Sequence, residues 1–319
     1  MDFSIIIPAK NEAANIARCL DSIRKMECDR VLYEVIVVDN GSTDATADIA
    51  REMGANVYVK PELTVAGLRN FGAAHAAGKV MAFIDADCTV ATSWLVNAAT
   101  YLHRRDVVCY GSPPNVPDDA TWLQKTWFAV RKKKSDRCAT DWLESMNMFV
   151  QREAFIAVGG FDESLLTCED YDLSLRLKQQ GVIITDSSIV ALHHGEAATV
   201  GQFFRKELWR GKSNFAGVMR HGLTFQEIPS LLAPPLHCLL WFCWLAVFLV
   251  GSSAAITVMT SCLLIWQILL CIVAFKKLPT RSRIVFLCQL VFLLNIYFFA
   301  RGAAVFASGR RTGTLPCAV

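Results

Sequence analysis

Three apolar stretches near the C-terminus constrain this chain more than any other feature. LLAPPLHCLLWFCWLAVFLV (231–250), AITVMTSCLLIWQILLCIVAF (255–275) and IVFLCQLVFLLNIYFFA (284–300) contain no Asp, Glu, Lys or Arg. A helix needs roughly 20 apolar residues to cross a hydrocarbon core about 30 Å thick. Each stretch is near that length, and too little polar chain separates them to wrap them as core helices of a water-soluble domain. We therefore read 1–229 as a globular domain and 230–319 as a membrane domain with about three hydrophobic helices. The opening DFSIIIPAKNE has an acidic start and too short an apolar run for a signal peptide, which puts the globular domain on the cytoplasmic side. Segment 231–250 then exits and 255–275 returns. KKLPTRSR (276–283) falls in the cytosol, as the positive-inside rule prefers. The third stretch conflicts with that rule, because as a span it carries Arg301, Arg310 and Arg311 to the far side. We expect three spans; the alternative is that 284–300 lies in the interface.

The globular part has its own pattern. SIIIPA (4–9), EVIVVD (34–39), NVYVK (56–60) and KVMAFIDAD (79–87) are short continuous apolar runs, the signature of strands buried on both faces. NEAANIARCLDSIRKM (11–26), the segment ending at Gly54, and GLRNFGAAHAAG (67–78) separate them with helical spacing. Alternating strands and helices of this kind predict an α/β domain around a mostly parallel sheet. A further helix is expected over EDYDLSLRLKQQG (169–181). The 12 cysteines are scattered with no CxxC pair, so neither a zinc site nor a disulfide framework follows. A net charge of +3 excludes an argument for nucleic acid, although RKKK (131–134) suits anionic headgroups.

Chemistry is signalled where the strands end. In open α/β sheets ligands bind outside the carboxyl ends of the strands. Asp39 ends the second strand and FIDADC places Asp85 and Asp87 at the end of the fourth. Along this extended segment the two acids point the same way across Ala86. Close carboxylates resist joint ionisation unless a positive charge intervenes. A hard divalent cation, Mg2+ or Mn2+, meets that need and brings phosphate oxygens with it.

SIIIPAKNE, VIVVDNGSTDAT, GLRNFGAAHAAG, FIDADC, VGGFDES and EDYDLSLRL occur in this order. The set resembles the family 2 glycosyltransferases over about residues 3–212. The resemblance implies a GT-A fold, inverting transfer and a nucleotide-sugar donor of the UDP or GDP kind. By the same resemblance Pro8, Ala9 and Glu12 line the nucleoside pocket, Asp39 accepts from the base, and Arg69 reaches the nucleotide. Asp85 and Asp87 hold the metal, with His193 as a further ligand. Relatives often carry a second acid where this chain has Asn40, and a third aspartate where it has Cys88, so Cys88 receives no metal role. Asn70 and Gly72 shape the backbone. Asp170 is the catalytic base with Glu169 beside it, and Asp172 pairs with a nearby cation.

Relatives also carry Q-x-x-R-W near the membrane; here Gln202 and Arg205 are followed by Lys206. Arg205 and Arg210 are candidates for the donor phosphates, with a membrane-surface role as the alternative. The hydrophobic helices point to a lipid or lipid-linked sugar acceptor, presented as a hydroxyl because a base is supplied. A polyprenyl phosphate acceptor and a non-catalytic sugar-nucleotide-binding partner are the alternatives. KNEAAN is neither the glycine-rich basic loop of a nucleotidyltransferase nor the GxGxxG of a dinucleotide-dependent oxidoreductase.

Overall fold

The computed structural model describes residues 1–28, 31–130, 136–165, 167–211, 228–277 and 284–307. RKKK, Lys212, residues 278–283 of KKLPTRSR, and Arg310 and Arg311 lie outside the described residues. The chain divides into two compact units, Met1–Asp118 with Lys132–Glu196, and Asp119–Arg131 with Ala197–Val319. The first unit ends at Glu196, and an excursion from the middle of the chain joins the C-terminal part.

The first unit is built on an eight-stranded sheet of order β3-β2-β1-β4-β8-β6-β9-β7. Its strands are β1 (Phe3–Ala9), β2 (Tyr33–Asp39), β3 (Asn56–Val59), β4 (Val80–Ile84), β6 (Val107–Gly111), β7 (Arg137–Ala139), β8 (Asn147–Gln151) and β9 (Val182–Asp186). The first four strands and the β6–β9 pair are parallel, while β8 runs antiparallel to β4 and β6, and β7 to β9. Side-chain alternation along β1 feeds two cores. Phe3, Ile5 and Ile7 pack under α1 (Ile16–Arg24), and Ile6 packs under α3 (Val65–His75) and α7 (Glu169–Leu177). Gly72 of α3 is required by this closeness, since a methyl there would stand 2.5 Å from Ile6 Cγ2. Asn70 clamps the other side of the helix: its side chain donates to Phe161 O and accepts from Phe161 N–H, each at 2.9 Å. Both residues serve the backbone, as expected.

A second, two-stranded sheet matters most for function. β5 (Cys88–Val90) pairs antiparallel with β10 (Ala191–His193), setting His193 opposite Cys88. The remaining helices of this unit are α2 (Thr46–Glu52), α4 (Trp94–Ala99) and α6 (Arg152–Ala157).

The second unit contains two helices with charged residues, α5 (Trp122–Ala129) and α8 (Val200–Gly211). It also holds three long apolar helices, α9 (Ile228–Val250), α10 (Ser253–Lys277) and α11 (Ile284–Ala307). All three are long and apolar enough to cross a membrane. Their outward surface is apolar, with Phe242, Leu249, Ile265 and Val285 exposed. Several of their polar groups pair inside the bundle. Gln267 and Asn295 exchange amide hydrogen bonds at 2.9 and 3.1 Å, and Trp266 Nε1 donates to His237 Nδ1 at 2.8 Å.

Candidate active site

The strand ends carry the site, and local side-chain chemistry fixes their loops. After Pro8 and Ala9, Asn11 adopts a left-handed conformation (φ 54°), which asparagine tolerates better than most residues. Its backbone N–H donates to Ser42 Oγ, and its side chain accepts from Thr43 N–H, each at 2.8 Å. The loops after β1 and β2 are thereby joined. Asp39, 1% exposed, accepts from the Ser42 N–H at 2.8 Å and from the Ser42 hydroxyl, so its carboxylate closes the turn after β2. Asn40 donates to Leu63 O at 2.7 Å and to Lys60 O at 3.2 Å, and accepts from Lys10 Nζ at 2.7 Å. An acid at that position could not donate those amide bonds.

The DAD segment is not extended. β4 stops at Ile84, and Cys88 N–H bonds back to Asp85 O at 3.0 Å, closing a turn over 85–88. The expectation of a strand through Asp87, with both acids pointing one way, is corrected. The two carboxylates take different partners: Asp85 accepts from Arg69 Nη2 at 2.7 Å, and Asp87 Oδ2 lies 3.0 Å from His193 Nε2. β10 is likewise short. The chain is paired only over Ala191–His193, and His194 N–H bonds to Asp87 O at 2.9 Å.

Asp87, Cys88 and His193 offer ligand atoms within 4.8 Å of one another. His193 Nδ1 lies 3.3 Å from Glu196 Oε1. Burial opposes charging of the His193 ring, but Asp87 and Glu196 outweigh it and raise the pKa to about 9. The imidazolium thus supplies positive charge that a metal ion would replace. Glu12, half-buried beside Asn15, has its pKa raised by burial and then by the charges of Asp87, Asp85 and Asp44. A carboxylate and an imidazole with further acids at hand fit a hard divalent cation that completes its shell with phosphate oxygens and water. Burial, then the charges of Asp87 and Asp85, raise the pKa of the Cys88 thiol well above its ordinary value.

Sequence reasoning missed Gly195. A methyl there would overlap the Asp87 carboxylate and come within 3.2 Å of His193 Nε2. The signal was present, a glycine directly after two histidines, but it gains meaning only once β10 is paired with β5.

The acidic pair opens α7 behind Cys168, which is left-handed (φ 67°). Arg69, 3% exposed, joins the two acidic motifs. Nη2 bonds Asp85, and Nη1 bonds Glu169 Oε1 at 2.9 Å. Arg69 was expected to reach the nucleotide; here its guanidinium is occupied by two carboxylates. Asp170 accepts from Tyr171 N–H at 2.8 Å. Burial, then the charges of Glu169 and Glu144, raise its pKa to about 7, against the opposing pull of Arg69. Asp172 pairs with Arg176 at 2.6 Å, the structural role expected of it. Arg205 and Arg210 lie on α8 in the second unit, where Arg210 pairs with Glu207 at 2.8 Å.

The family model described as Glycosyl transferase family 2 matches residues 4–159. Over 238 residues the chain is 27% identical to glycosyltransferase AglE of Haloferax volcanii, covering 72% of this chain and 78% of that protein. Over 193 residues it is 27% identical to a beta-monoglucosyldiacylglycerol synthase of Nostoc sp., covering 54% of this chain and 40% of the relative, less than half its length. Among solved structures, a mannosyltransferase from Pyrobaculum calidifontis in complex with GDP-Man and Mn2+ aligns with a TM-score of 0.65 at 19% identity. That alignment covers 96% of this chain and 86% of the other. The likeness shows a GT-A-like fold.

Proposed function

The chain is a glycosyltransferase of family 2 with a GT-A-like fold, and from that premise we propose its reaction. It moves a sugar from a UDP- or GDP-sugar, with inversion, to a hydroxyl of a membrane lipid or lipid-linked sugar on the cytoplasmic side. The observation that carries this reading is Asp170, a half-buried carboxyl whose pKa is raised to about 7 beside the Arg69 bridge.

A base tuned near neutral pH suits an acceptor hydroxyl, which must lose its proton as it attacks. A phosphate acceptor is already ionised and needs no such group. In the proposed step Asp170 accepts the hydroxyl proton while the acceptor oxygen bonds to the anomeric carbon. The bond to the diphosphate breaks on the opposite face, and its electron pair leaves with the diphosphate oxygen. Asp87 and His193 would hold Mg2+ or Mn2+, with Asp85 nearby. A bound divalent cation would offset the charge that develops on the leaving diphosphate. Arg69 positions Asp85 and Glu169 relative to each other, so the donor end and the base end share one rigid cation. Pro8, Ala9, Glu12 and Asp39 form the floor on which the nucleoside would rest, with Ser42 yielding part of its hold on Asp39 to a base N–H.

One relative is named for a glucosylated diacylglycerol product, in keeping with a lipid acceptor, and a mannosyltransferase of like fold was solved with GDP-Man and Mn2+. The test is a panel of radiolabelled UDP- and GDP-sugars supplied with extracted membrane lipids and Mn2+. Label entering the organic phase with one donor, and lost with EDTA, supports the reading. Label that stays water-soluble with every donor overturns the lipid acceptor.

A further inference from the structure

We infer that α11 does not cross the membrane: with α5 and α8 it forms a collar seated in the near-side lipid headgroup interface, and among the described helices only α9 and α10 cross the bilayer. The inference concerns topology and does not rest on the proposed reaction.

The first observation is an ion pair. Arg301 of α11 bonds Glu207 of α8 through Nε at 3.1 Å and Nη2 at 2.9 Å, and Glu207 is 1% exposed. α8 carries Arg205, Lys206, Glu207 and Arg210 in 12 residues, so it cannot sit among acyl chains. It begins at Val200, four residues after the first unit ends, with no apolar segment between that could cross a bilayer. α8 is therefore on the catalytic side, and Arg301 is there with it.

The contact runs along the helix rather than meeting it at one point. Phe203, Glu207 and Gly211 form the buried stripe of α8. Phe203 packs with Leu293 in one cluster, and Gly211 lies so close to α11 that a methyl there would stand 2.6 Å from Ala304 Cβ. From Leu293 to Ala304 is about 16 Å of helix. α5 supports the same face, with Thr126 Oγ1 donating to Gln289 Oε1 at 3.0 Å and Trp127 packed against Phe203 and Tyr297.

The second observation is depth. α9 leaves the near side and α10 returns to it, so α11 starts at that side. Most of the contacts of α11 fall on the halves of its neighbours that adjoin that side, and the deepest on α9, Phe299 against Trp241, lies just past that helix's midpoint. Gly302 faces Pro234 and Cys238, and Phe298 and Phe299 face His237 on α9. Asn295 meets Gln267, and Leu290 packs with Ala274, on α10. Seventeen residues after Ile284, about 26 Å of helix, Arg301 is back beside the charged helix. The exposed face of the collar has the composition of an interface. Trp122 and Trp209 are 43% and 47% exposed, and Arg205 is exposed on the same helix as Trp209. Amphipathic rings and cations of this kind anchor at headgroup level.

The test is labelling of full-length protein in intact cells with an impermeant maleimide, using single cysteines at Glu62 (catalytic unit), Ser252 (α9–α10 loop) and Thr314 (after α11) in a cysteine-free background. Thr314→Cys and Glu62→Cys should behave alike, protected until the membrane is opened, while Ser252→Cys labels at once. Thr314→Cys labelling with Ser252→Cys, opposite to Glu62→Cys, overturns the inference. Should the cysteine-free chain fail to accumulate, a C-terminal alkaline phosphatase fusion of the natural chain gives the same decision. It should be inactive; activity comparable to a fusion at Ser252 overturns the inference.

Discussion

Asp170, the proposed base, bears on stability as well. A carboxyl whose folded pKa is raised binds its proton more tightly folded than unfolded. Its contribution favours the fold at low pH and is lost as pH rises from its ordinary 3.8 through about 7. Asp170→Asn removes that burden, so thermal unfolding of the variant should come at higher temperature than wild type at pH 8 and differ little at pH 4. Asp87 predicts a separate loss. Asp87→Ala should abolish Mn2+-dependent binding of UDP or GDP in calorimetry while circular dichroism stays unchanged. Binding that is equally tight without metal in both proteins would remove the metal from the account. The DAD and ED motifs were legible as acids at an element end. The Arg69 bridge was not, because its partners lie 16 and 100 positions away and no local pattern encodes such a pairing.

At the scale of elements, the periodic segments and the short strand β3 read correctly, and the three-residue strands did not. β1, β2 and β4 announced themselves by continuous apolar runs, as did α1 and α3 by their spacing. β5 and β10, three residues each, carry too little pattern, yet their pairing sets His193 opposite Cys88, next to Asp87. The turn over 85–88 was misread for the same reason. An extended strand and a turn differ there by one backbone hydrogen bond that no side chain advertises. Gly195 is the element-scale test. Gly195→Ala should lower metal affinity about 10–100-fold, the usual effect of disturbing groups that orient metal ligands, with the fold preserved. An unchanged Mn2+ titration would show that β10 can shift at no cost.

For the whole molecule, the apolar helices were plain from composition, whereas the grouping of α5 and α8 with them was not. Their buried stripes are short, and the residues that receive them lie on α11. Glu207 holds this assembly together, since it bonds both Arg210 and Arg301. Removing one partner of such a buried pair typically costs about 3–5 kcal/mol. Glu207→Ala should therefore lower the thermal midpoint of the detergent-solubilised protein clearly, and Arg205→Ala, at an exposed position, should not.

The central claim is that Asp170 deprotonates an acceptor hydroxyl while the donor is held elsewhere. The most direct measurement is the initial rate of sugar transfer to lipid across pH 5–9, wild type against Asp170→Asn, with donor affinity determined in parallel. The account predicts a wild-type rate rising to a plateau through pH near 7, and a variant slower by about 10²–10⁴-fold with donor affinity nearly unchanged. A variant that transfers at the wild-type rate, or loses only donor affinity, would contradict it.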